Sequence, residues 1–411
     1  TSVVPRRIHV SLQHSLLPDS FECTLSLALS KIPHTSGVVP AGRVFDTFLD
    51  VAYTSRNIMT PRTHTASAPS SRKAEDYCIA TIGSHSALQI LKGAKDEGMN
   101  SIVICKKGSE RPYKSYGLGD QMILVDSWDD WDTVVEPELV KRNAIIIPHG
   151  SFISYMGHDR VKSMKTMYYG TKTILEWESD RTKERIWLED ANLLLPKVFT
   201  DPDEIDRPVI VKFHGAGGGF GYFVVRTPEQ FWEVKNRKYP EDNDFAIQEY
   251  IVGVPLYAHF FQSSLTGELE IMSFDKRYES NADSIGRIKA EDQLAAKIHT
   301  SYTIVGNIPL VIRESMLPEF FAMGERAVAS SQKFCGGKGL FGPFCLETIV
   351  TRKLQIYVFE ISARIVAGTN PFVEGSPYTA LRYDVPMSTG RRIAREIKTA
   401  IESGKIAEIL G

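Results

Sequence analysis

From Cys78 onward, apolar residues fall into short blocks separated by polar, helix-like stretches. Cys78 to Ile82 is an apolar run of strand length. Ser101 to Cys105, Gln121 to Val125 and Ala144 to Pro148 repeat it. Between the first two, Ala87 to Glu97 reads as a helix that stops at Gly98, as a C-terminal glycine should. Strands alternating with helices predict a parallel sheet with helices on its faces.

The rhythm changes near Glu176. A helix over Thr182 to Asn192 precedes strands at Val209 to Phe213, Tyr222 to Val225 and Ala246 to Glu249, with a helix over Pro228 to Lys235. From about Gly253, strands are predicted at Tyr257 to Ser263, Leu269 to Lys276, Gly342 to Ile349 and Leu354 to Ile361. Helices fall at Leu317 to Lys333 and Gly390 to Ser403, and no internal repeat is visible. The layout is α/β: a unit over 76–175, then two α+β subdomains over 176–252 and 253–411. Residues 1–75 differ, being rich in Ser, Thr, Pro and His, and read as an extension with a short helix near Phe45 to Ala52 and a flexible linker. The start at Thr1 leaves an upstream N-terminus open, and an unprocessed targeting segment is a second reading of this stretch.

Composition narrows the class. The 411 residues are 43% hydrophobic and 24% charged, enough for a sizeable core. A formal net charge of −2 gives no bias towards nucleic acid or anionic membrane. No apolar run approaches the ~20 residues of a membrane span. The five cysteines, Cys23, Cys78, Cys105, Cys335 and Cys345, form no zinc-like spacing and suggest a reducing cytoplasm.

Three constellations carry candidate chemistry. The first is the loop from Lys212 to Tyr222, with glycines at 215, 217, 218, 219 and 221. It lacks the Gly-Lys-Ser/Thr of a P-loop, and Phe220 or Tyr222 stands where G-x-G-x-x-G needs its third glycine. Strands flank it on both sides, so it reads as a hairpin flap whose backbone N–H groups approach a nucleotide triphosphate, with Lys212 on phosphate oxygens. The next strand end, Gln248-Glu-Tyr-Ile-Val-Gly, offers backbone groups to an adenine edge and a carboxylate to ribose hydroxyls. Glu347 and Glu360 form the third constellation. Each lies in a strongly apolar strand, and a short polar turn near Thr351 joins the strands into a hairpin that would bring the carboxylates together. Buried carboxylates are costly unless paired or metal-bound, and Mg²⁺ takes one or two carboxylates plus phosphates; salt bridges, with Arg364 as a partner, are the other reading. In the first unit, Gly83-Ser-His-Ser lies where a strand turns into a helix and suits phosphate binding, with His85 adding a hydrogen bond or a charge. Capping by Ser84 or Ser86 competes with that reading. Pro148-His-Gly-Ser151 follows another strand at its carboxyl end, where open α/β sheets bind ligands.

From Cys78 to the C-terminus, the chain resembles the archaeal formate-dependent FAICAR synthetases of purine biosynthesis. The resemblance is carried by Ile82-Gly-Ser-His-Ser-Ala-Leu-Gln, Ile147-Pro-His-Gly-Ser-Phe, Pro208-Val-Ile-Val-Lys-Phe, Ile247-Gln-Glu-Tyr-Ile-Val-Gly-Val-Pro and Arg277-Tyr-Glu-Ser-Asn. Tyr302-Thr-Ile-Val-Gly-Asn-Ile-Pro, Gly342-Pro-Phe-Cys-Leu-Glu-Thr-Ile-Val, Phe359-Glu-Ile-Ser-Ala-Arg and Gly390-Arg-Arg-Ile-Ala-Arg continue it in the same order. The resemblance implies an ATP-grasp fold of two subdomains behind a Rossmann-like N-terminal domain. It implies ATP, Mg²⁺ (or Mn²⁺), formate and the ribonucleotide AICAR as ligands. Formate would be activated by ATP as formyl phosphate and captured by the AICAR amine. The match places His85, Ser151 and Asn307 on AICAR. It places Lys212, Gly215, Gly218, Gly219, Gly221, Gln248, Glu249, Ile251 and Glu279 on ATP, with Lys212 catalytic, and Glu347 and Glu360 on the metal. The flap departs from the family pattern: Gly217 and Phe220 stand where basic residues are usual, and His214 where proline is common. Fewer cations would weaken stabilisation of the transferring phosphoryl group. An ATP-grasp ligase for another carboxylate and amine, or a non-catalytic nucleotide-binding relative, are the alternatives. The helix from Gly390, with Arg391, Arg392 and Arg395, reads as a solvated face or an assembly surface, which leaves a homo-oligomer open.

Overall fold

The computed structural model describes residues 73–213, 222–241, 244–280, 282–298, 303–336 and 338–411. The helix expected near Phe45 and the flap glycines 215, 217, 218, 219 and 221, with His214 and Phe220, lie outside the described residues.

Strands β1 (Cys78–Ile82), β2 (Asn100–Lys106), β3 (Gln121–Val125), β4 (Ala144–Ile146) and β5 (Met167–Tyr168) form a parallel sheet in the order β3-β2-β1-β4-β5. Central β1 is buried at every position, as expected for a parallel strand covered on both faces. Helix α1 (Ala87–Asp96) follows it directly. The order reverses between β2 and β4 around β1, so the carboxyl ends of β1 and β4 open a crevice between them.

The second sheet is antiparallel, with β6 (Val198–Phe199), β7 (Val209–Phe213), β8 (Tyr222–Val225) and β9 (Phe245–Glu249) in the order β6-β9-β7-β8. Helix α2 (Arg181–Asp190) precedes it. Helix α3 (Pro228–Lys238) packs Phe231 into a small aromatic core with Phe213, Phe223 and Phe245. The third sheet comprises β10 (Val254–Gln262), β11 (Leu269–Glu279), β12 (Ile304–Leu310), β13 (Gly342–Val350) and β14 (Ile356–Ser362) in the order β12-β11-β10-β13-β14. Helix α4 (Leu317–Phe334) covers one face through Phe320, Met323 and Ala327, which join Phe260, Phe274 and Phe344 in the largest core. The other face carries Tyr257, His259, Asp275 and Glu347, with Phe261 packed into a second core.

Two differences from the sequence reading have physical reasons. Strand β12 was not anticipated because Gly306 and Pro309 interrupt its apolar pattern; an edge strand tolerates both. The arginines of helix α5 (Thr389–Glu402) are not a solvated face but are engaged within the chain. Arg391 and Arg395 reach Glu97 at 2.6 and 2.8 Å, and Arg392 bridges Glu270 and Glu396. Burial works against the Glu97 carboxylate, but Arg395 and Arg391 outweigh it and hold its pKa below the usual range. The C-terminal helix is therefore clasped to α1 by charge as well as by Ile393 and Ile397.

Candidate active site

Alternation along the third sheet decides which side chains meet. Tyr257 and His259 of β10 share a face with Asp275, Arg277 and Glu279 of β11. The pairings Tyr257↔Glu347, Arg277↔Asn307 and Glu347↔Glu360 bring in β13, β12 and β14. A register shift just after Glu347 turns Glu360 towards it, so the hairpin does converge the two carboxylates. Glu347 is 1% exposed. One of its oxygens takes the guanidinium of Arg277, with Ser362 Oγ at 3.3 Å. Its Oε2 is buried with no partner among the described residues. Glu360 instead opens into the cleft, and the charge of Glu347, then burial, raises its pKa.

The expected partner Arg364 is a correction. It pairs with Glu178 at 2.6 Å, while Arg277 lies 4.1 Å over the Tyr257 ring and crosses it to Glu347. Strand order explains this: β10 separates β11 from β13, and only a long side chain lying across Tyr257 spans the gap. Arg277, Tyr257 and Glu178 were not singled out from the sequence. Arg277 stood within a quoted motif, and its position two residues before Glu279 on a strand was the available signal.

Three cavities meet at Glu360. One, of about 450 Å³, lies between the second and third sheets and is lined by Lys212, Gln248, Glu249, Ile251, Arg277 and Glu279. Lys212 Nζ donates to Gln248 Oε1 at 3.0 Å, and burial, then Arg181, lowers its pKa. The Glu249 carboxylate accepts the Lys197 N–H at 3.1 Å on one oxygen and Arg207 at 3.3 Å on the other, and it lines this cavity with lone pairs left for a further donor. Glu279 stays accessible there, its pKa raised by burial and then by Asp283. A second cavity of about 540 Å³ is lined by Arg181, Glu184, Lys212 and Arg364. The third, of about 430 Å³, is lined by His85, Gly150, Asp275, Arg277, Asn307, Glu347 and Arg364.

The parallel sheet supplies the far wall of this third cavity. His85 sits at φ 51°, a left-handed conformation that histidine tolerates better than most residues. Asn370 Nδ2 donates to its carbonyl at 3.1 Å, and Gln89 in turn donates to Asn370. The ring stacks on His149, centroids 5.7 Å apart, and passes so close to Gly150 that a Cβ there would fall 2.2 Å from Nε2. His149, fully buried, sits beside the carbonyl of Ile82 at 2.9 Å through Nε2 and accepts the Ser151 N–H at Nδ1. Those two contacts define a neutral, Nε2-protonated ring. Burial pushes the His85 pKa down to about 4 and that of His149 to about 3. Ser86 bonds to His85 rather than capping α1, which removes simple capping by Ser86 as an account of this motif. Ser151 adjoins the cavity through Gly150, which is the residue that lines it.

The residues present suit a divalent cation. An orphaned carboxylate oxygen and a second, repelled carboxylate are hard oxygen donors whose charge a cation would offset. No group of three or more His, Cys, Asp or Glu side chains gathers among the described residues, so phosphates and water would complete the set.

A parallel sheet followed by two antiparallel sheets that close on a cleft is an ATP-grasp fold. The solved N5-carboxyaminoimidazole ribonucleotide synthetase from Thermotoga maritima shares it, with a TM-score of 0.52 and 15% identity over 78% of this chain and 75% of that one. An IMP biosynthesis protein PurP from Thermococcus kodakaraensis matches with a TM-score of 0.65 and 27% identity over 81% of this chain and 100% of that one. The chain belongs to the family of 5-formaminoimidazole-4-carboxamide-1-(beta)-D-ribofuranosyl 5'-monophosphate synthetases. It is 54% identical over 340 residues to the one from Pyrococcus abyssi, covering 81% of this chain and 98% of that protein. It is 45% identical to that of Methanocaldococcus jannaschii, over 82% of this chain and 95% of that protein. Two family models match as well: a protein of unknown function (DUF1246) over residues 79–199 and a domain of unknown function (DUF1297) over 229–411.

Proposed function

We propose that this chain ligates formate to the amine of AICAR at the expense of ATP, giving FAICAR, ADP and phosphate. One observation carries the reading. A nucleotide-sized cleft and a separate polar cavity share one wall, made of Tyr257, Arg277, Ile304 and Glu360. A phosphoryl group presented from one side would meet an acceptor held on the other. The names of the 54% and 45% identical relatives supply the product.

Formate is a poor acyl donor because hydroxide is a poor leaving group. A formate oxygen attacks the γ-phosphorus of ATP, ADP leaves, and formyl phosphate forms. The AICAR amine then attacks the formyl carbon, phosphate leaves, and the nitrogen loses a proton. Arg277 and Arg364 flank the cavity and provide the fixed positive charge that formate and the acyl phosphate need. A bound Mg²⁺ or Mn²⁺ on Glu347 and Glu360 would neutralise phosphate charge. Lys212, Gln248, Glu249, Ile251 and Glu279 are assigned to ATP, with flap glycines 215, 218, 219 and 221; His85, Ser151 and Asn307 are assigned to AICAR. His85 acts as a neutral hydrogen-bonding and stacking group, since burial keeps it uncharged at working pH. The subdomain boundaries proposed are 76–175, 176–252 and 253–411. The buried free thiols of Cys78, Cys105, Cys335 and Cys345 fit a cytoplasmic location.

The test is ADP release by the purified protein with ATP, Mg²⁺ and AICAR, with and without formate, and with FAICAR followed directly. Formate-dependent FAICAR formation is expected. ADP release that requires a different carboxylate, or ATP binding with no ADP release, would overturn the assignment.

A further inference from the structure

Asp275 and His259 form a buried pair on the cleft face of the third sheet, 1% and 2% exposed. His259 Nε2 lies 2.6 Å from Asp275 Oδ1, and the other oxygen, Oδ2, accepts Asn307 Nδ2 at 2.8 Å. That contact uses the Asn307 NH₂, so the amide turns its donor side towards Asp275. Its carbonyl oxygen is left with no donor among the described residues, at the wall of the cavity that also holds His85 and Arg277. Gly368 makes the seat: a Cβ there would fall 2.2 Å from Asp275 Oδ1 and 2.6 Å from the His259 ring. Among the described residues the pair makes no hydrogen bond to Lys212 or Glu360, and the proposed chemistry does not use it.

We propose that Asp275, braced by His259 against Gly368, is a positioning residue that locks the Asn307 amide in one orientation and so makes it a hydrogen-bond acceptor. The ligand it selects must bring an N–H donor, a primary amine or carboxamide; this rests on the assignment of the cavity to AICAR. A free asparagine amide can flip and serve donor or acceptor alike, so without Asp275 the site would lose this discrimination. A buried polar contact to a ligand is worth about 10- to 100-fold in affinity.

The experiment is a double-mutant cycle read by calorimetric binding of AICAR and, separately, of ATP. Asp275→Asn keeps the shape but gives Asn307 a partner that both donates and accepts. It should weaken AICAR binding by about 10- to 100-fold and leave ATP binding within about twofold. Asn307→Ala should lose a similar factor. Adding Asp275→Asn to Asn307→Ala should cost less than about twofold more, because the aspartate acts through the asparagine. Unchanged AICAR affinity in Asp275→Asn, or losses that multiply in the double variant, would refute the proposal. Should Asp275→Asn not fold, Gly368→Ala displaces the same pair without altering its atoms; AICAR-specific weakening supports the proposal, and equal weakening of ATP and AICAR refutes it. A wild-type protein that binds ATP but not AICAR would instead remove the functional assignment, and this inference with it.

Discussion

The two walls of the cavity proposed for AICAR solve opposite electrostatic problems. On the third sheet, Glu347, Glu360, Arg277 and Arg364 are charged, crowded and incompletely paired. Glu347 Oε2 and Arg364 Nε lack partners among the described residues, Glu347 raises the pKa of Glu360, and burial, then Glu360, raises that of Glu184. On the parallel sheet, His85 and His149 are neutral and stacked, His149 hydrogen-bonded to backbone and His85 to the Ser86 hydroxyl. A wall with charge to spare is suited to ligands that complete it, here phosphate oxygens and a cation. A wall already satisfied contributes shape and directional contacts. The difference teaches which substitutions should damage the fold and which only the chemistry.

The sharpest contrast lies within the charged wall. Glu347→Ala strands the guanidinium of Arg277, and breaking such a buried pair costs about 3–5 kcal/mol. Urea unfolding should show that loss. Glu360→Gln removes the carboxylate that Glu347 repels, so stability should hold within about 1 kcal/mol. Ligase turnover should nevertheless fall by about 10²–10³-fold, the scale of losing one electrostatic contributor to a transition state. If Glu360→Gln destabilises as strongly as Glu347→Ala, the face is a structural network and its incompleteness has no link to ligands.

Legibility in the sequence followed the same divide. Strands β1, β3, β7 and β8 were readable to the residue, because apolar runs and bounding turns are local. The convergence of Glu347 and Glu360 was readable because one short turn joins their strands. What stayed hidden depends on sheet order. Arg277 rather than Arg364 meets Glu347 because β11 and β13 flank β10, which periodicity does not reveal. His259, Asp275 and Asn307 meet across two strand pairings, one of them to the unanticipated β12. The family resemblance reached Asn307 but not the pair that orients it.

A smaller effect sharpens the neutral wall. His85→Ala should raise the AICAR KM about tenfold, the lower end for one lost polar contact, and leave the ATP KM unchanged. In the wild type, the AICAR KM should not vary with His85 charge between pH 6 and 8, because that ring titrates near pH 4. An AICAR KM that tracks a group near pH 6.5 would mean that His85 binds substrate as a cation.

Acidification tests whether this wall is neutral by construction. The His149 pKa is about 3 in the folded protein, pushed down first by burial and then by His85, against 6.5 for a free side chain. Above pH 6.5 the ring is neutral folded or unfolded and stability gains nothing from protons. Between pH 6.5 and 3 the unfolded chain takes up a proton that the folded one refuses, so stability falls as pH falls. The slope from this one group approaches about 1.4 kcal/mol per pH unit. His149→Gln keeps a donor for the Ile82 carbonyl but cannot titrate. Unfolding free energies of both proteins between pH 6 and 4 should converge on acidification, the carboxylate contributions being common to both. Parallel curves would mean that His149 accepts its proton in place, which would break the Ser151 contact at Nδ1 and make the second wall as chargeable as the first.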